Sequence, residues 1–263
     1  MVLDYYLNWG DLQHFENMPQ PLVAKAERNQ YETELPLHSH TKGQLIVVLG
    51  GYVTCEVDSN LWMVPTNNAI WIPAKTIHTN RTPVHANLCH VYIQPDLHGL
   101  PNKTCTIAIT PVVKELICHF ASLNQHYQAN SSTDRIAQVI FDLLLEMPVQ
   151  RFNFPQSKHP LIQLMAKQLW YKPDNRKTLT QWATELAIGE RTLARLIKKE
   201  TGMSFGKWRS QMHIIIALQK LEQKYSVQQI SDSLGYDSVS AFITMFKKAL
   251  GLSPKKYIAQ INH

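Results

Sequence analysis

One stretch of this chain occurs twice. Residues 178–204 reappear, after a one-residue slip, as residues 226–253. Thr178-Leu179-Thr180-Gln181 aligns with Ser226-Val227-Gln228-Gln229. Each is a [Ser/Thr]-x-x-Gln capping box, whose side chains satisfy the free amides at a helix start. Leu186 aligns with Leu234, then Leu193 with Phe242, Ile197 with Phe246, Lys198-Lys199 with Lys247-Lys248, Gly202 with Gly251 and Ser204 with Ser253. The pattern predicts two copies of a short helix, a tight turn and a second helix, over about 179–187 and 190–201, then about 227–234 and 239–250. One face of each second helix is apolar: Leu193, Leu196 and Ile197, or Phe242, Met245 and Phe246. Another face carries Glu190, Arg191, Ala194, Arg195 and Lys198 in the first copy, and Val239, Ser240, Ile243, Thr244 and Lys247 in the second. An α-helix fits the major groove of B-DNA, where its first turns meet base edges.

The segment between the copies sharpens this reading. Residues 205–224 carry an apolar stripe of Phe205, Trp208, Met212, Ile215, Leu218 and Leu221. As a helix they span about 30 Å, close to the ~34 Å repeat of the major groove. A stiff spacer of that length sets two helices into successive groove segments. Charge agrees: residues 158–263 hold 17 Lys and Arg against 7 Asp and Glu, residues 1–157 only 9 against 13, within a chain of net charge +6. A basic half joined to an acidic half points to a polyanion partner. An anionic membrane surface would explain the charge but not the repeat. No apolar run approaches 18 residues, and the N-terminus has no basic region followed by an apolar stretch. A cytoplasmic protein without a membrane partner is expected.

Ile230-x3-Leu234-Gly235-Tyr236, Phe242-x3-Phe246-Lys247 and Gly251-Leu252-Ser253-Pro254 with Tyr257 resemble the signature of AraC/XylS-type transcription regulators. Trp182-Ala183-x2-Leu186 and Arg195-x3-Lys199-Glu200-Thr201-Gly202 agree with it, so the resemblance covers about 160–260. Ala187 stands where the sister copy has Gly235, which predicts a slightly different first turn. The resemblance implies double-stranded DNA as partner, with RNA polymerase as a further candidate. It assigns base reading to Arg191, Ala194 and Arg195, then to Val239, Ser240 and Thr244, with Ser238 beside them. Arginine gives guanine a bidentate pair while Ser and Thr discriminate weakly, so the first copy is expected to carry most sequence specificity. Lys198, Lys199, Lys247, Lys248, Lys255 and Lys256 are candidates for phosphate contacts, or for an ordinary solvated face.

The first half is patterned differently. Short runs at 44–49, 52–58, 61–64, 69–72 and 88–93, with Gly50-Gly51, Ser59-Asn60 and Asn67-Asn68 between them, predict a β-sandwich or small barrel. Past Pro111 the apolar spacing turns helical, predicting helices over about 111–127 and 132–147. Pro148, Pro155 and Pro160 mark a linker. The expected fold is multidomain α+β: a cupin-like β-barrel sensor at 1–110, a helical segment at 111–148 that serves dimerisation or packs on the barrel, a linker at 149–160, and an all-α domain of two helix-turn-helix units at 161–263. Cys55, Cys89, Cys105 and Cys118 form no C-x-x-C pair and are expected to be buried reduced thiols.

His38-Ser39-His40 with Gln44 and Gly51, then Pro73-Ala74-Lys75-Thr76-Ile77-His78, is similar to the two cupin motifs, with Gln44 in place of their Glu and Lys75 in place of a Gly. Two histidines at i and i+2 on a strand point the same way, so His38 and His40 could share a metal with His78, and Gln44 could add a carbonyl oxygen. Three imidazoles suit Zn, Ni, Cu or Fe(II). Contact with an organic effector, or a structural role, are the other two readings of these side chains. Trp62, Trp71 and Ile93 could line a pocket or form plain core. The expected function is a DNA-binding regulator, not an enzyme, responding to a small-molecule or metal effector as a homodimer. The alternative is a cupin metalloenzyme, a dioxygenase or isomerase, tethered to a DNA-binding domain; the missing carboxylate argues against it.

Overall fold

The computed structural model describes residues 14–58, 60–150, 153–155, 157 and 159–261. The chain divides into two compact units, drawn from 1–58 with 62–152 and from 59–61 with 153–263. The first unit is built on antiparallel strands β1 (Leu22–Arg28), β2 (Thr33–His38), β3 (Gly43–Gly50), β4 (Tyr52–Val57), β5 (Asn60–Pro65), β6 (Asn68–Ile72), β7 (His78–Thr82), β8 (Asn87–Ile93), β9 (Cys105–Ala108) and β10 (Val149–Gln150). One sheet runs β1-β8-β3-β6-β9-β10, and β5, β4, β7 and β2 lie side by side in the other.

The two sheets differ because their surroundings differ. The first sheet is covered on both faces, so β3 reads as a continuous apolar run. Ile46 and Val48 face the second sheet, with Val53, Cys55, Val57, Trp62, Val64 and Leu88. Leu45 and Val47 face the other way, under a helical hairpin of α1 (Pro111–Ala121) and α2 (Ser132–Glu146) that buries Val113, Ile117, Phe120, Ile140 and Leu144. The apolar stripes of both helices are thus used within the unit. Strand β4 instead alternates, burying Val53, Cys55 and Val57 and exposing Glu56. Trp71 and Ile93 belong to the face under the helices. Of the two readings the sequence left open for these side chains, core is the one found, and only Trp62 of the three faces the space between the sheets. Cys55, Cys89 and Cys105 are buried free thiols and Cys118 is half-buried.

Helix α1 ends six residues before the expected 127. The stretch after it closes the free edge of β1: Gln125 Oε1 accepts from the Ala24 amide at 2.8 Å, and the Tyr127 hydroxyl donates to Leu22 O at 2.6 Å. The segment expected as a linker holds β10, whose Val149 and Gln150 pair with Ile107 and Thr106, and β11 (Asn153–Pro155).

The second unit is helical: α3 (Pro160–Tyr171), α4 (Leu179–Glu185), α5 (Glu190–Thr201), α6 (Phe205–Glu222), α7 (Val227–Ser233), α8 (Val239–Leu250) and α9 (Pro254–Ile261). Both capping boxes form, Thr178 with Gln181 and Ser226 with Gln229. Spacer helix α6 has 18 residues, about 27 Å. It is buried all round from Met212 to Leu218, which makes it the centre of this unit rather than an amphipathic strut.

The two turns are the same, against the expected difference. Ala187 N donates to Thr184 O at 3.1 Å and Ile188 N to Ala183 O at 3.0 Å; Gly235 N donates to Asp232 O at 3.0 Å and Tyr236 N to Ser231 O at 3.1 Å. Ala187 adopts φ 52° where Gly235 has φ 72°. The left-handed conformation costs a residue with a Cβ about 1–2 kcal/mol, and the Ala187 turn carries that cost. Gly235 has a second reason to be glycine, because a Cβ there would lie 2.8 Å from Asp174 O and 2.9 Å from its Cα. Gly235→Ala is therefore expected to lower stability by about 2 kcal/mol or more. Ala187→Gly should raise it by up to ~1 kcal/mol, the relief of φ offset by the freer unfolded chain. Urea unfolding of the two variants checks this; equal destabilisation by both would refute the account.

Candidate functional site

Three histidines converge in the polar end of the space between the sheets. His38 ends β2 and is the direct cross-strand partner of His78, the first residue of β7. His40 lies past the end of β2, not on it as expected, so the i, i+2 rule does not place it. A loop contact does: Lys75 N donates to His40 O at 2.7 Å, tying the two histidine-bearing loops together. Lys75 adopts φ 62°, the backbone reason for a Gly in the motif it resembles. The ring centroids are 4.1 Å (His38–His78), 4.9 Å (His38–His40) and 5.4 Å (His40–His78) apart. One ligating nitrogen from each lies within 4.8 Å of the others.

Each ring has an oxygen at Nδ1: Pro36 O at 2.7 Å from His38, Glu16 Oε2 at 2.9 Å from His40 and Thr76 O at 2.9 Å from His78. In a neutral ring this puts the proton on Nδ1 and the lone pair on Nε2. Burial lowers the pKa of His38 and pushes that of His78 down to about 3, so both are uncharged at neutral pH. His40 Nε2 is buried with no hydrogen-bond partner among the described residues. His78 Nε2 faces Gln44 Oε1 at 3.0 Å, while Gln44 Nε2 donates to the Tyr92 hydroxyl at 3.2 Å and lies 3.4 Å from His90 Nδ1. With the His78 proton on Nδ1, two lone-pair atoms oppose one another here, an arrangement that a proton or a cation between them would relieve. The four sequence-predicted residues are thus brought together.

Beside them lies a second polar group that the sequence did not single out. His90 Nε2 is 3.6 Å from Glu27 Oε2, and both amide atoms of the buried Asn80 lack partners among the described residues. A cavity of about 20 Å³ lined by Glu27, Asn29, Thr33, Asn80, Thr82 and His90 adjoins these groups, room for about one water. Strand β7 turns His78, Asn80 and Thr82 inward, so its polar inner face carries no hydrophobic signal.

In the second unit, α5 exposes Arg191, Arg195, Lys198 and Lys199 with Ala194 half-buried among them. Helix α8 exposes Ser240, Thr244, Lys247 and Lys248, with Ser238 exposed at its N-cap and Val239 half-buried. Leu193 and Ile197, or Phe242 and Phe246, are buried behind. The Ser238 hydroxyl accepts from Ala241 N at 3.2 Å, and that of Thr244 donates to Ser240 O at 2.8 Å, so α8 presents partly spent hydroxyls. Arg191 and Arg195, one turn apart on α5, carry the bidentate donors of this surface.

Residues 182–260 match a family model described as a helix-turn-helix domain. Over 230 residues the chain is 45% identical to the HTH-type transcriptional regulator NimR of Escherichia coli (strain K12), covering 88% of this chain and 84% of NimR. The chain belongs to the AraC/XylS-type transcription regulators. Among solved structures, this AraC-type chain is similar to ToxT from Vibrio cholerae O395, at 12% identity and a TM-score of 0.40 over 92% of this chain and 98% of that one. It is also similar to the DNA-binding domain of AdpA in complex with a target DNA, at 25% identity and a TM-score of 0.36 over 39% and 92%. No described helix of this AraC-type regulator is long and apolar enough to cross a membrane.

Buried neutral histidines tie the stability of the regulator to pH. Burial holds His78 near 3, and burial with Arg209 nearby holds His213 near 4, both below the ordinary 6.5. A depressed imidazole pKa means that the unfolded chain binds more protons, so stability is full above about pH 6.5 and falls as the pH drops toward 3–4. Each group is expected to remove about 2 kcal/mol between pH 7 and pH 5. Thermal melts across that range, compared with those of His213→Gln, measure the second share. An identical pH slope in that variant would contradict it.

Proposed function

We propose that this AraC-type regulator acts in the cytoplasm on double-stranded DNA and takes a divalent transition metal at His38, His40, His78 and Gln44 as its effector or as part of its effector site. The observation that carries the metal reading is the common orientation of the three rings, with an oxygen behind each Nδ1. Such acceptors fix the tautomer and aim of metal-bound histidines. The donor set of three imidazoles and one amide oxygen suits Zn, Ni, Cu or Fe(II). A bound ion would tie the stretch from His38 to Gln44, which links β2 to β3, to the start of β7 at His78. The neutral donor set, with Gln44 in place of a carboxylate, favours a sensor over a metalloenzyme.

On the DNA side, Arg191, Ala194 and Arg195 of α5 and Val239, Ser240 and Thr244 of α8 read bases, with Ser238 at the groove edge. Lys198, Lys199, Lys247 and Lys248 meet phosphates. The chain acts as a homodimer whose contact draws on apolar groups left exposed by the hairpin, Val112 and Val139 among them, with RNA polymerase as the partner in transcription.

Two measurements test the reading. Protein stripped with a chelator and titrated with Zn(II) or Co(II) is expected to bind about one ion per chain, and His78→Ala to lose that binding. Saturation at about 100 Kd adds ~2.7 kcal/mol to stability; no binding and no shift would sink the metal reading. Against DNA selected from a random pool, Arg195→Ala is expected to cost about 1–3 kcal/mol and to relax one base position. Lys198→Ala should weaken all sequences alike and reduce the salt slope by about 1. An unchanged base preference for Arg195→Ala would remove that residue from the interface.

A further inference from the structure

Glu16 lies outside both histidine motifs, yet its carboxylate is buried against one of them. Glu16 is 9% exposed. Its Oε2 lies 2.9 Å from His40 Nδ1, and its Oε1 accepts from Thr41 N and, at 3.0 Å, from Thr41 Oγ1. The carboxylate is held in place from both sides. Met18, two residues on, is buried with Val23 and Tyr92. The buried Lys42 ammonium donates to Met18 O at 2.7 Å and to Gln20 O at 2.8 Å. His38 and His78 have backbone carbonyls behind Nδ1, whereas His40 has an anion.

That difference matters because the four donors themselves are neutral. A divalent ion held by three imidazoles and an amide brings two positive charges into a buried site with no anion among its ligands. A carboxylate accepting Nδ1–H makes Nε2 of the same ring a stronger donor and offsets charge through it. We propose that Glu16 is the positioning residue of this metal centre, holding His40 in its Nδ1–H tautomer and supplying at one remove the negative charge that Gln44 does not. The inference rests on the metal reading above. It assigns a functional role to a segment that sequence motifs leave blank.

Glu16→Gln separates the carboxylate from its shape. The Gln side chain has one oxygen for the three donors, Thr41 N–H, Thr41 Oγ1–H and His40 Nδ1–H; the hydroxyl can turn to another partner. The backbone amide cannot give up its proton, so it keeps the oxygen. The Gln NH2 then faces His40 Nδ1, which drives the ring proton to Nε2 and blocks the donor atom.

The test uses the full chain, stripped of metal, with Zn(II) competed against a chromophoric chelator. In parallel, ¹⁵N-histidine labelling reads the His40 tautomer in the metal-free protein. Expected are a 10- to 100-fold loss of Zn(II) affinity in Glu16→Gln, about that of other outer-shell changes, and a shift of His40 toward the Nε2–H form. Lys42→Met, which releases the Met18 and Gln20 carbonyls but keeps the carboxylate, should leave affinity near that of the unaltered protein. Unaltered protein that binds Zn(II) while Glu16→Gln binds as well and keeps the His40 tautomer overturns the role of Glu16 and leaves the metal centre standing. Equal losses in Glu16→Gln and Lys42→Met would assign the effect to anchoring of the segment, and overturn it too. No binding by the unaltered protein removes the metal centre and this role together.

Discussion

Every Nδ1 of the His38, His40 and His78 cluster has a fixed oxygen behind it, and the arrangement of the first unit follows from keeping it so. The oxygen behind His38 comes from its own strand, that behind His78 from the turn before β7, and that behind His40 from a distant segment. Each is placed by backbone, or by a side chain held on two sides. Three imidazoles so fixed are oriented and largely out of water, which is costly for polar rings unless their remaining nitrogens have a use. The apolar half of the same interior, around Ile46, Val53, Trp62 and Ile70, supplies the burial that makes the arrangement rigid.

The second unit shows how repetition tolerates error. Both copies have the same cap, turn and C-terminal glycine, yet only one turn has the residue best suited to its backbone. At Gly235 a Cβ would in addition meet the Asp174 backbone. The copies also differ in chemistry. Helix α5 offers guanidinium groups, and α8 offers small side chains whose hydroxyls already serve their own helix. A duplicated scaffold with unlike surfaces suits one partner read at two unequal places.

Much of this was legible in the sequence. The helix-turn-helix elements emerged within a few residues, because capping boxes, terminal glycines and helical apolar spacing all speak locally. Strands β3 to β6 and β8 were legible as apolar runs between turn residues. Strands β1, β2, β7 and β9 were not. In β2 only Leu35 is buried and Pro36 interrupts the pattern, while β7 turns His78, Asn80 and Thr82 inward, so polarity marks the inside. The four residues His38, His40, Gln44 and His78 stood out by motif. Glu16, His90 and Asn80 did not, since each meets its neighbours only through pairing of strands or loops distant in the chain. The end of α1 was misplaced because Gln125 and Tyr127 continue a helical-looking stretch while their side chains serve β1.

That last feature governs how the first unit meets other molecules. With Gln125 and Tyr127 occupying the amide and carbonyl groups of Ala24 and Leu22, the outer border of β1 offers no ladder for an incoming extended peptide at those positions. Strand addition, the commonest way for an open sheet to recruit or to aggregate, is blocked there. Any assembly through this side has to rely on side-chain contacts, whose selectivity can be tuned residue by residue.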